Sequence, residues 1–278
     1  MVVSRPFNVP KTEKYHLDLI FPALNLRDIS EISSYLSFLS FRKLRILLMK
    51  WSQFFNTSIG KKLLVGATGL FLCSFVIVHL AGNVQLLYHD KGEAFNTYAT
   101  FMSHNGLIQF IAWGLKVVIL LHAFIALQLT FKNRAARPVK YAINPGNQTS
   151  SWFSRQMAIM GSILFIFLVI HLKDFWWMMH YGEMNTVTYE GSIEEYRDLY
   201  AATQVAFSHG WIVITYVIGM IGLSFHLIHG FKSAFQTFGL NHVKYNGLIN
   251  FVGVWLFGVL IPVGFAIIPV YIYFNPIQ

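Results

Sequence analysis

The chain has 278 residues, of which 55% are hydrophobic and only 12% are charged. Soluble proteins carry about twice that share of charge, so the composition predicts an integral membrane protein and excludes an ordinary soluble domain. The formal net charge of +9 is explained below by membrane orientation and does not require nucleic acid as a partner. The single cysteine, Cys73, excludes a four-cysteine iron–sulfur site and an intrachain disulfide.

Residues 1–55 are predicted to be an N-terminal cytoplasmic or interfacial extension. Between Ile29 and Phe55, apolar residues alternate with Ser, Arg and Lys, which favours a helix lying in the membrane interface. Met49 starts a shorter reading frame that keeps every predicted span. The alternative to an interfacial helix is therefore that residues 1–48 are an extension without a function.

Residues 56–278 are predicted to form one domain with five transmembrane helices, so the expected fold is an all-α integral membrane protein. These helices, spans 1 to 5, are expected at about 63–88, 107–131, 156–181, 206–231 and 247–273. Apolar runs of this length cross a bilayer as helices. The first four spans are expected to form an antiparallel bundle.

The charges in the connecting segments predict the orientation. Lysine and arginine precede span 1 and bound the connections between spans 2 and 3 and between spans 4 and 5, whereas the other two connections are acidic. Positively charged segments stay in the cytoplasm. We therefore expect a cytoplasmic N-terminus and a C-terminus on the outer side.

Histidines lie inside four successive spans, at His79, His122, His171 and His226. At 1.5 Å per residue, His79 and His171 share a level about 23 Å from the cytoplasmic face, whereas His122 and His226 lie about 15 and 9 Å from it. A single membrane histidine is often hydrogen-bonded to a neighbouring helix, but two pairs at two levels predict two stacked bis-histidine haems. His229 is the alternative ligand in span 4, and its depth matches that of His122 less well than the depth of His226 does.

Four glycines support this interpretation modestly. Gly82, Gly114, Gly219 and Gly222 recur at helical spacing from the histidines, where missing side chains would admit a flat macrocycle. Small residues also serve ordinary helix contacts in membranes, which is the competing explanation.

From about residue 54 onwards, the chain resembles one family in its loops as well as in its spans. The stretches concerned are NTSIGKK (56–62), TGLF (68–71), HLAGN (79–83), FNTY (95–98), RAARPVKY (134–141), GNQTSSW (146–152), IHLKDFW (170–176) and HLIHGFKSAFQTFGLNH (226–242). They resemble the five-helix dihaem cytochrome b subunit of succinate:quinone oxidoreductase, the membrane anchor of bacterial complex II (succinate dehydrogenase) and of fumarate reductase.

The resemblance implies an electron-transport subunit of the respiratory chain and the tricarboxylic acid cycle, in a bacterial cytoplasmic membrane. It implies two haem b groups, a quinone, which would be menaquinone, and a flavoprotein and an iron–sulfur subunit docked on the cytoplasmic side. The dehydrogenase site would lie in those partners and not in this chain. The implied iron ligands are His79 with His171 for a distal haem and His122 with His226 for a proximal haem.

Other polar residues are candidates for contact with haem propionates or quinone. Near the distal level these are Lys116, Lys173 and Asp174, which snorkelling or a structural Lys–Asp pair would also explain. Near the proximal level they are Ser58, Lys61, Trp152, Lys232 and His229. In the outer loop, Glu93 and His104 are candidate proton exchangers for a distal quinone, with Lys116 as a third candidate in its chemistry.

Three other functions compete with this one. A bc-type cytochrome b carries two histidines about thirteen or fourteen residues apart in each of two helices, and no span here shows that spacing. The anchor of a quinone-linked hydrogenase stays an open alternative. A transporter that relays protons through histidines would need midplane carboxylates, and only Asp174 qualifies.

Overall fold

The computed structural model describes residues 51–136 and 152–276. Five of its helical segments are long and apolar enough to cross a membrane, which confirms the predicted multi-pass helical protein. Their bounds are Ser58–Leu87 (span 1), Gly106–Ala135 (span 2), Ser154–Tyr181 (span 3), Gly210–Thr237 (span 4) and Val243–Phe274 (span 5). Most of the N-terminal extension and the 137–151 connection lie outside the described residues, so the interfacial helix and the boundary at residue 56 stay predictions.

Individual helices within and between the spans have the following bounds. They are Trp51–Asn56, Ser58–Asn83, Glu93–His104, Gly106–Ala135, Trp152–His171, Met178–Tyr181, Leu199–Phe207, Gly210–Thr237, Val243–Phe251 and Ile261–Phe274. A 3-10 turn at Val84–Leu87 ends span 1, and π-helical stretches occupy Leu172–Trp177 in span 3 and Val252–Leu260 in span 5. A small hairpin pairs strand β1 (Thr186–Val187) antiparallel with strand β2 (Tyr196–Arg197).

Side-chain contacts show how the spans are aligned. Lys61 donates to the Gln128 side chain at 2.8 Å, which places the start of span 1 level with the end of span 2. Gly66 lies against Phe238, just after the end of span 4, and Gly222 of span 4 lies against Ile163 of span 3. Span 1 therefore runs antiparallel to spans 2 and 4.

Span 4 begins and ends later than hydropathy predicts. The Asp198 side chain accepts a hydrogen bond from the Ala201 amide at 3.0 Å and caps a separate helix, Leu199–Phe207. The chain turns at Ser208 and His209, and span 4 starts at Gly210. The span starts four residues after the approximate predicted start at residue 206, because one apolar run covers both helices.

The two ends of the bundle carry opposite charge, and we name them by it. The basic end carries Lys61, Lys62, Lys132, Arg134, Arg155, Lys232 and Lys244, and no acidic residue within 51–136 or 152–276 lies there. The acidic end carries Asp90, Glu93, Glu183, Glu190, Glu194, Glu195 and Asp198. The two predicted classes of connection therefore lie at opposite ends of the bundle.

A network of hydrogen bonds around Asn96 connects elements at the acidic end. Asn96 is fully buried in the Glu93–His104 helix, and its amide nitrogen donates to the Tyr189 hydroxyl at 2.7 Å and to Asp198 at 2.9 Å. The Asn96 oxygen accepts the Tyr200 amide at 2.9 Å. Gly92 has a φ of 87° and lies so close to the Tyr200 ring that a side chain there would collide with it. The Glu93–His104 helix is thus tied to the connection between spans 3 and 4.

Spans 1, 4 and 5 enclose one of the two buried apolar clusters of the described residues. Cys73 packs there with Leu227, Phe231, Phe257 and Ile261. Spans 4 and 5 are the most buried of the five, whereas spans 2 and 3 are the least buried. Spans 2 and 3 therefore present most of their surface to lipid or to other molecules.

Candidate functional site

His79 and His171 form a pair of rings near the acidic end. Their ring centroids lie 5.8 Å apart and the two planes are almost perpendicular, at 81°. Phe75 stacks on His79 and Phe167 stacks on His171, at centroid distances of 5.1 and 5.7 Å. Phe265 of span 5 also contacts the His79 ring. We call these two histidines the acidic-end pair.

His122 and His226 form a second pair nearer the basic end. Their ring centroids lie 6.2 Å apart with an interplanar angle of 66°. Gly69 of span 1 lies directly against the His122 ring, and Gly161 of span 3 faces the His226 ring. We call these two histidines the basic-end pair. The structure thus brings together the same residues that the depth argument pairs in the sequence: span 1 with span 3, and span 2 with span 4.

The same spacing separates the two levels on three helices. Gly69 and His79 on span 1, Gly161 and His171 on span 3, and Tyr216 and His226 on span 4 each differ by ten residues. In each case one residue contacts the basic-end pair and the other belongs to or contacts the acidic-end pair. Ten residues of helix span about 15 Å. The two pairs are therefore stacked along the bundle axis.

The pair distances fit a metal held between two imidazoles. A metal–nitrogen bond of about 2 Å on each side and about 1 Å from nitrogen to ring centre give a centroid separation of about 6 Å. Edge-to-face aromatic contacts have similar separations, so the distances alone do not identify a metal site. The hydrogen bonds of the ring nitrogens carry further information.

Three of the four histidines have a polar side chain at Nδ1. The Thr68 hydroxyl lies 3.0 Å from Nδ1 of His122, and the Tyr216 hydroxyl lies 3.4 Å from Nδ1 of His171. The Asn83 amide lies 3.3 Å from Nδ1 of His79, while it donates to the His79 carbonyl oxygen at 2.7 Å. A hydroxyl can accept the Nδ1 proton of His122 or His171 and so leave Nε2 for a ligand, as in most metal-binding histidines, whereas the Asn83 amide nitrogen can only donate to Nδ1 of His79.

His226 differs from the other three. Its Nδ1 is buried and has no hydrogen-bond partner within the described part of the chain. A buried nitrogen without a partner costs free energy, so its presence calls for a ligand or another group that meets the ring. Among residues 51–136 and 152–276, no cluster of three or more His, Cys, Asp or Glu side chains could hold a bare metal ion. A porphyrin, which supplies four nitrogens itself, needs only two protein ligands.

The four glycines expected to admit a flat group have other surroundings. Gly82 lies against Tyr98, Gly219 against Phe167, and Gly222 against Ile163, so these three serve close contact between elements. Gly114 has no neighbouring atoms in contact range. The glycine that faces a histidine ring most closely is Gly69, which the spacing from the histidines on its own helix did not single out.

Glu93 and His104 do not share a site, although they belong to the same helix. Glu93 is exposed at its first turn and lines an open groove of about 620 Å³ together with Gln85, Asp90, Tyr98 and Phe101. His104 is exposed at the other end of the helix, and its Nδ1 contacts the Thr100 carbonyl oxygen at 2.9 Å. Burial raises the pKa of Tyr98, which packs over Gly82 close to His79. Glu93 therefore lines the same groove as Tyr98, whereas His104 is not among the residues that line it.

The charged residues inside spans 2 and 3 contact other groups than the histidines. The Lys116 ammonium lies over the rings of Trp113 and Trp176, at 4.2 and 4.5 Å from their centroids. Lys173 pairs with Asp174 at 3.4 Å, with the lysine exposed and the aspartate only 18% exposed. The structural Lys–Asp pair, which the sequence analysis gave as an alternative to a role in binding, is thus present. Lys116 lies between two tryptophan side chains.

The remaining candidates are spread along the basic half of the bundle. Ser58 begins span 1, Lys61 donates to Gln128, and the Trp152 ring meets Phe225, the residue before His226, at 5.7 Å. Lys232 is exposed and lines a small cavity of about 110 Å³ with amide side chains between spans 4 and 5. His229 is half-buried, one turn beyond His226. None of these contacts joins two of the five residues.

Sequence reasoning missed Thr68, Tyr216 and Asn83, which contact the histidine rings. The signal that could have identified them is a side chain with a hydroxyl or amide group inside an otherwise apolar span, one or a few helical turns along the chain from a histidine. No protein-family profile, curated protein or solved structure matches the chain. The site is therefore assigned from its own residues.

Proposed function

We propose that the chain is the membrane-anchor and electron-transfer subunit of a succinate:quinone oxidoreductase, with two bis-histidine haem b groups. The observation that carries the proposal is the pair of facing imidazoles at each of two levels, contributed by four successive spans. The sequence resemblance supports the choice of enzyme among haem-containing membrane anchors.

The residues of each pair would hold the group and exclude water from it. His79 and His171 would be the ligands at the acidic end, and His122 and His226 those at the basic end. When bound, the haems would supply one-electron carriers between an iron–sulfur subunit and a membrane quinone. The stacked phenylalanines around the acidic-end pair keep its surroundings apolar, which tunes the potential of a group held there.

The basic end is the proposed docking surface for the iron–sulfur and flavoprotein subunits. It combines many cations with no acidic residue in the described ranges, so its charge is not neutralised by carboxylates there. Such a surface attracts an acidic partner and also matches the expected cytoplasmic side. The loop 144–148, where we expect a partner to block labelling of introduced cysteines, lies outside the described residues.

The groove at Glu93 is the proposed site of quinone reaction. Its lining combines carboxylates with Tyr98 and Phe101, and Tyr98 connects it to span 1 at Gly82, three residues from His79. The Tyr98 phenol, whose pKa is raised by burial, is protonated and can donate a hydrogen bond to a quinone carbonyl. Glu93 is exposed, so it can exchange protons with water.

The test is the haem content of the purified protein and of four variants. Wild type should show b-type bands in a reduced-minus-oxidised spectrum, with two haems per chain. His79→Ala and His171→Ala should each lose the same haem, and His122→Ala and His226→Ala should each lose the other.

The exposed His209 provides the control, because His209→Ala should keep both haems. A wild-type protein without b-type bands would refute the proposal. Loss of the basic-end haem in His229→Ala but not in His226→Ala would reassign that ligand to His229.

A further inference from the structure

We infer that Thr68 is a positioning residue for the basic-end pair, where its hydroxyl fixes which nitrogen of His122 is free to bind iron. This inference rests on the proposed haem function and extends it to a residue that does not itself touch the metal. It also gives the two haems different surroundings at their ligand rings.

The first step is the proton of the Thr68 hydroxyl. Thr68 Oγ1 donates to the Leu64 carbonyl oxygen of its own helix at 2.7 Å, with the Val65 carbonyl oxygen further away at 3.1 Å. A hydroxyl has one proton to donate, so both backbone contacts use that proton. With its proton directed to these carbonyl oxygens, Thr68 Oγ1 meets any other group as a hydrogen-bond acceptor.

The second step is the ring that meets this oxygen. Nδ1 of His122 lies 3.0 Å from Thr68 Oγ1, and an acceptor-only oxygen requires the proton on Nδ1. A neutral imidazole carries one proton, so Nε2 then has the free lone pair that a metal needs. Thr68 thus favours the ligand tautomer before any metal binds, together with the Val65 carbonyl oxygen, to which the His122 ring also hydrogen-bonds. Gly69, the next residue, leaves room for the ring.

The third step compares the two levels. At the acidic end, Nδ1 of His171 faces the Tyr216 hydroxyl at 3.4 Å, and Tyr216 has no other hydrogen bond among the described residues. That phenol is free to donate as well as accept, so it does not impose a tautomer in the way that Thr68 does. The hydrogen bond to Thr68 makes His122 a stronger electron donor to iron, because a histidine that donates through Nδ1 becomes more basic at Nε2.

The consequence is a lower reduction potential at the basic-end haem than the same ligands would give without Thr68. A more basic ligand stabilises ferric iron relative to ferrous iron. Thr68→Val keeps the shape of the side chain and removes the acceptor. It should move the midpoint potential of one haem to a more positive value and leave that of the other unchanged.

The experiment is a redox titration of the full-length protein, monitored by its b-type optical bands, on three variants. Thr68→Ser keeps the hydroxyl and should restore the wild-type potential. Thr130→Val is the matched control, because Thr130 also bonds a carbonyl oxygen of its own helix, that of Ala126 at 2.9 Å, but contacts no histidine among the described residues. It should leave both potentials unchanged.

A His79→Ala background, in which only the basic-end haem is expected, identifies the haem whose potential moves. Selective loss of that haem in Thr68→Val, but not in Thr68→Ser, would equally support the positioning role. Unchanged potentials with both haems retained in Thr68→Val would overturn it and leave the proposed function intact, as would equal shifts in Thr68→Val and Thr130→Val. Absence of haem from the wild type would instead refute the proposed function itself.

Discussion

Gly69 of span 1 lies directly against the His122 ring. A Cβ added there would lie 3.3 Å from Cε1 of His122, closer than nearly all real contacts of this kind. The branched side chain of valine would reach further and push the ring away from its position opposite His226. We expect Gly69→Val to reduce haem content at the basic-end pair and to leave the other haem bound, as measured by haem per chain.

Gly247 offers the control for this substitution. It is exposed near the start of span 5 and has no atoms near an added Cβ, so Gly247→Val should keep both haems. Full haem content in Gly69→Val would show that His122 can relax, and it would remove the steric role assigned to Gly69.

Glu93 is the residue whose role in quinone chemistry is most directly testable. Glu93→Gln removes the exchangeable proton but keeps the shape and the groove. We expect slower quinone turnover with succinate in the intact complex, with unchanged reduction of a soluble dye that takes electrons from the partner subunits. Glu194→Gln, an exposed acid in the hairpin connection, is the control and should change neither rate.

Unchanged quinone turnover in Glu93→Gln would contradict the proposal that quinone reacts in the groove at the acidic end. Lys116→Met then has a separate use, because Lys116 contacts Trp113 and Trp176 and not the groove. Slower turnover in Lys116→Met alone would move the site to the lipid-facing side of spans 2 and 3.

At the scale of elements, the acidic end depends on Asn96. Its three hydrogen bonds join the Glu93–His104 helix to Tyr189, Asp198 and the Tyr200 amide. Asn96→Ala leaves those groups without their partner, and we expect a loss of about 2 to 3 kcal/mol in the free energy of unfolding. Thermal or denaturant unfolding in detergent measures it. The exposed neighbour Thr97 gives the control, since Thr97→Ala should change stability by less than about 0.5 kcal/mol.

Spans 4 and 5 are joined by a hydrogen bond from a serine hydroxyl close to Pro262. Pro262 has no amide proton, so it cannot donate to the Gly258 carbonyl oxygen four residues earlier. The Ser224 hydroxyl of span 4 donates to that oxygen instead. We expect Ser224→Ala to cost about 1 kcal/mol in unfolding experiments. Ser162→Ala should cost less, because the exposed Ser162 bonds only its own helix; an equal loss in both variants would contradict this account.

The sequence predicted the spans well because each is a long apolar run, but it placed the start of span 4 too early. Hydropathy does not detect a turn at Ser208 and His209 when both flanking helices are apolar. The histidine pairs follow from depth alone, since helix rise and direction fix the level of each residue. Thr68 and Tyr216 could not be found this way, because their contacts depend on how each helix is rotated about its axis.

At the scale of the whole molecule, the separation of charge between the two ends predicts sidedness. Cys73 is buried, so an introduced cysteine should dominate labelling by a thiol reagent that does not cross membranes. We expect Glu194→Cys to be labelled in intact cells and Arg134→Cys only after the membrane is permeabilised. Both wild-type residues are exposed, and each variant is the control for the other. The reverse pattern would invert the proposed orientation.

The two histidine levels lie about 15 Å apart along the bundle, which is about half the thickness of the hydrocarbon core of a bilayer. Under the proposed haem function, an electron that passes from one level to the other would cross about half of the transmembrane voltage. Moving one elementary charge across a full 100 mV is worth about 2.3 kcal/mol, so this step would gain or lose about 1 kcal/mol per 100 mV. In an energised membrane, the direction of that field would help to decide which way electrons flow through the protein.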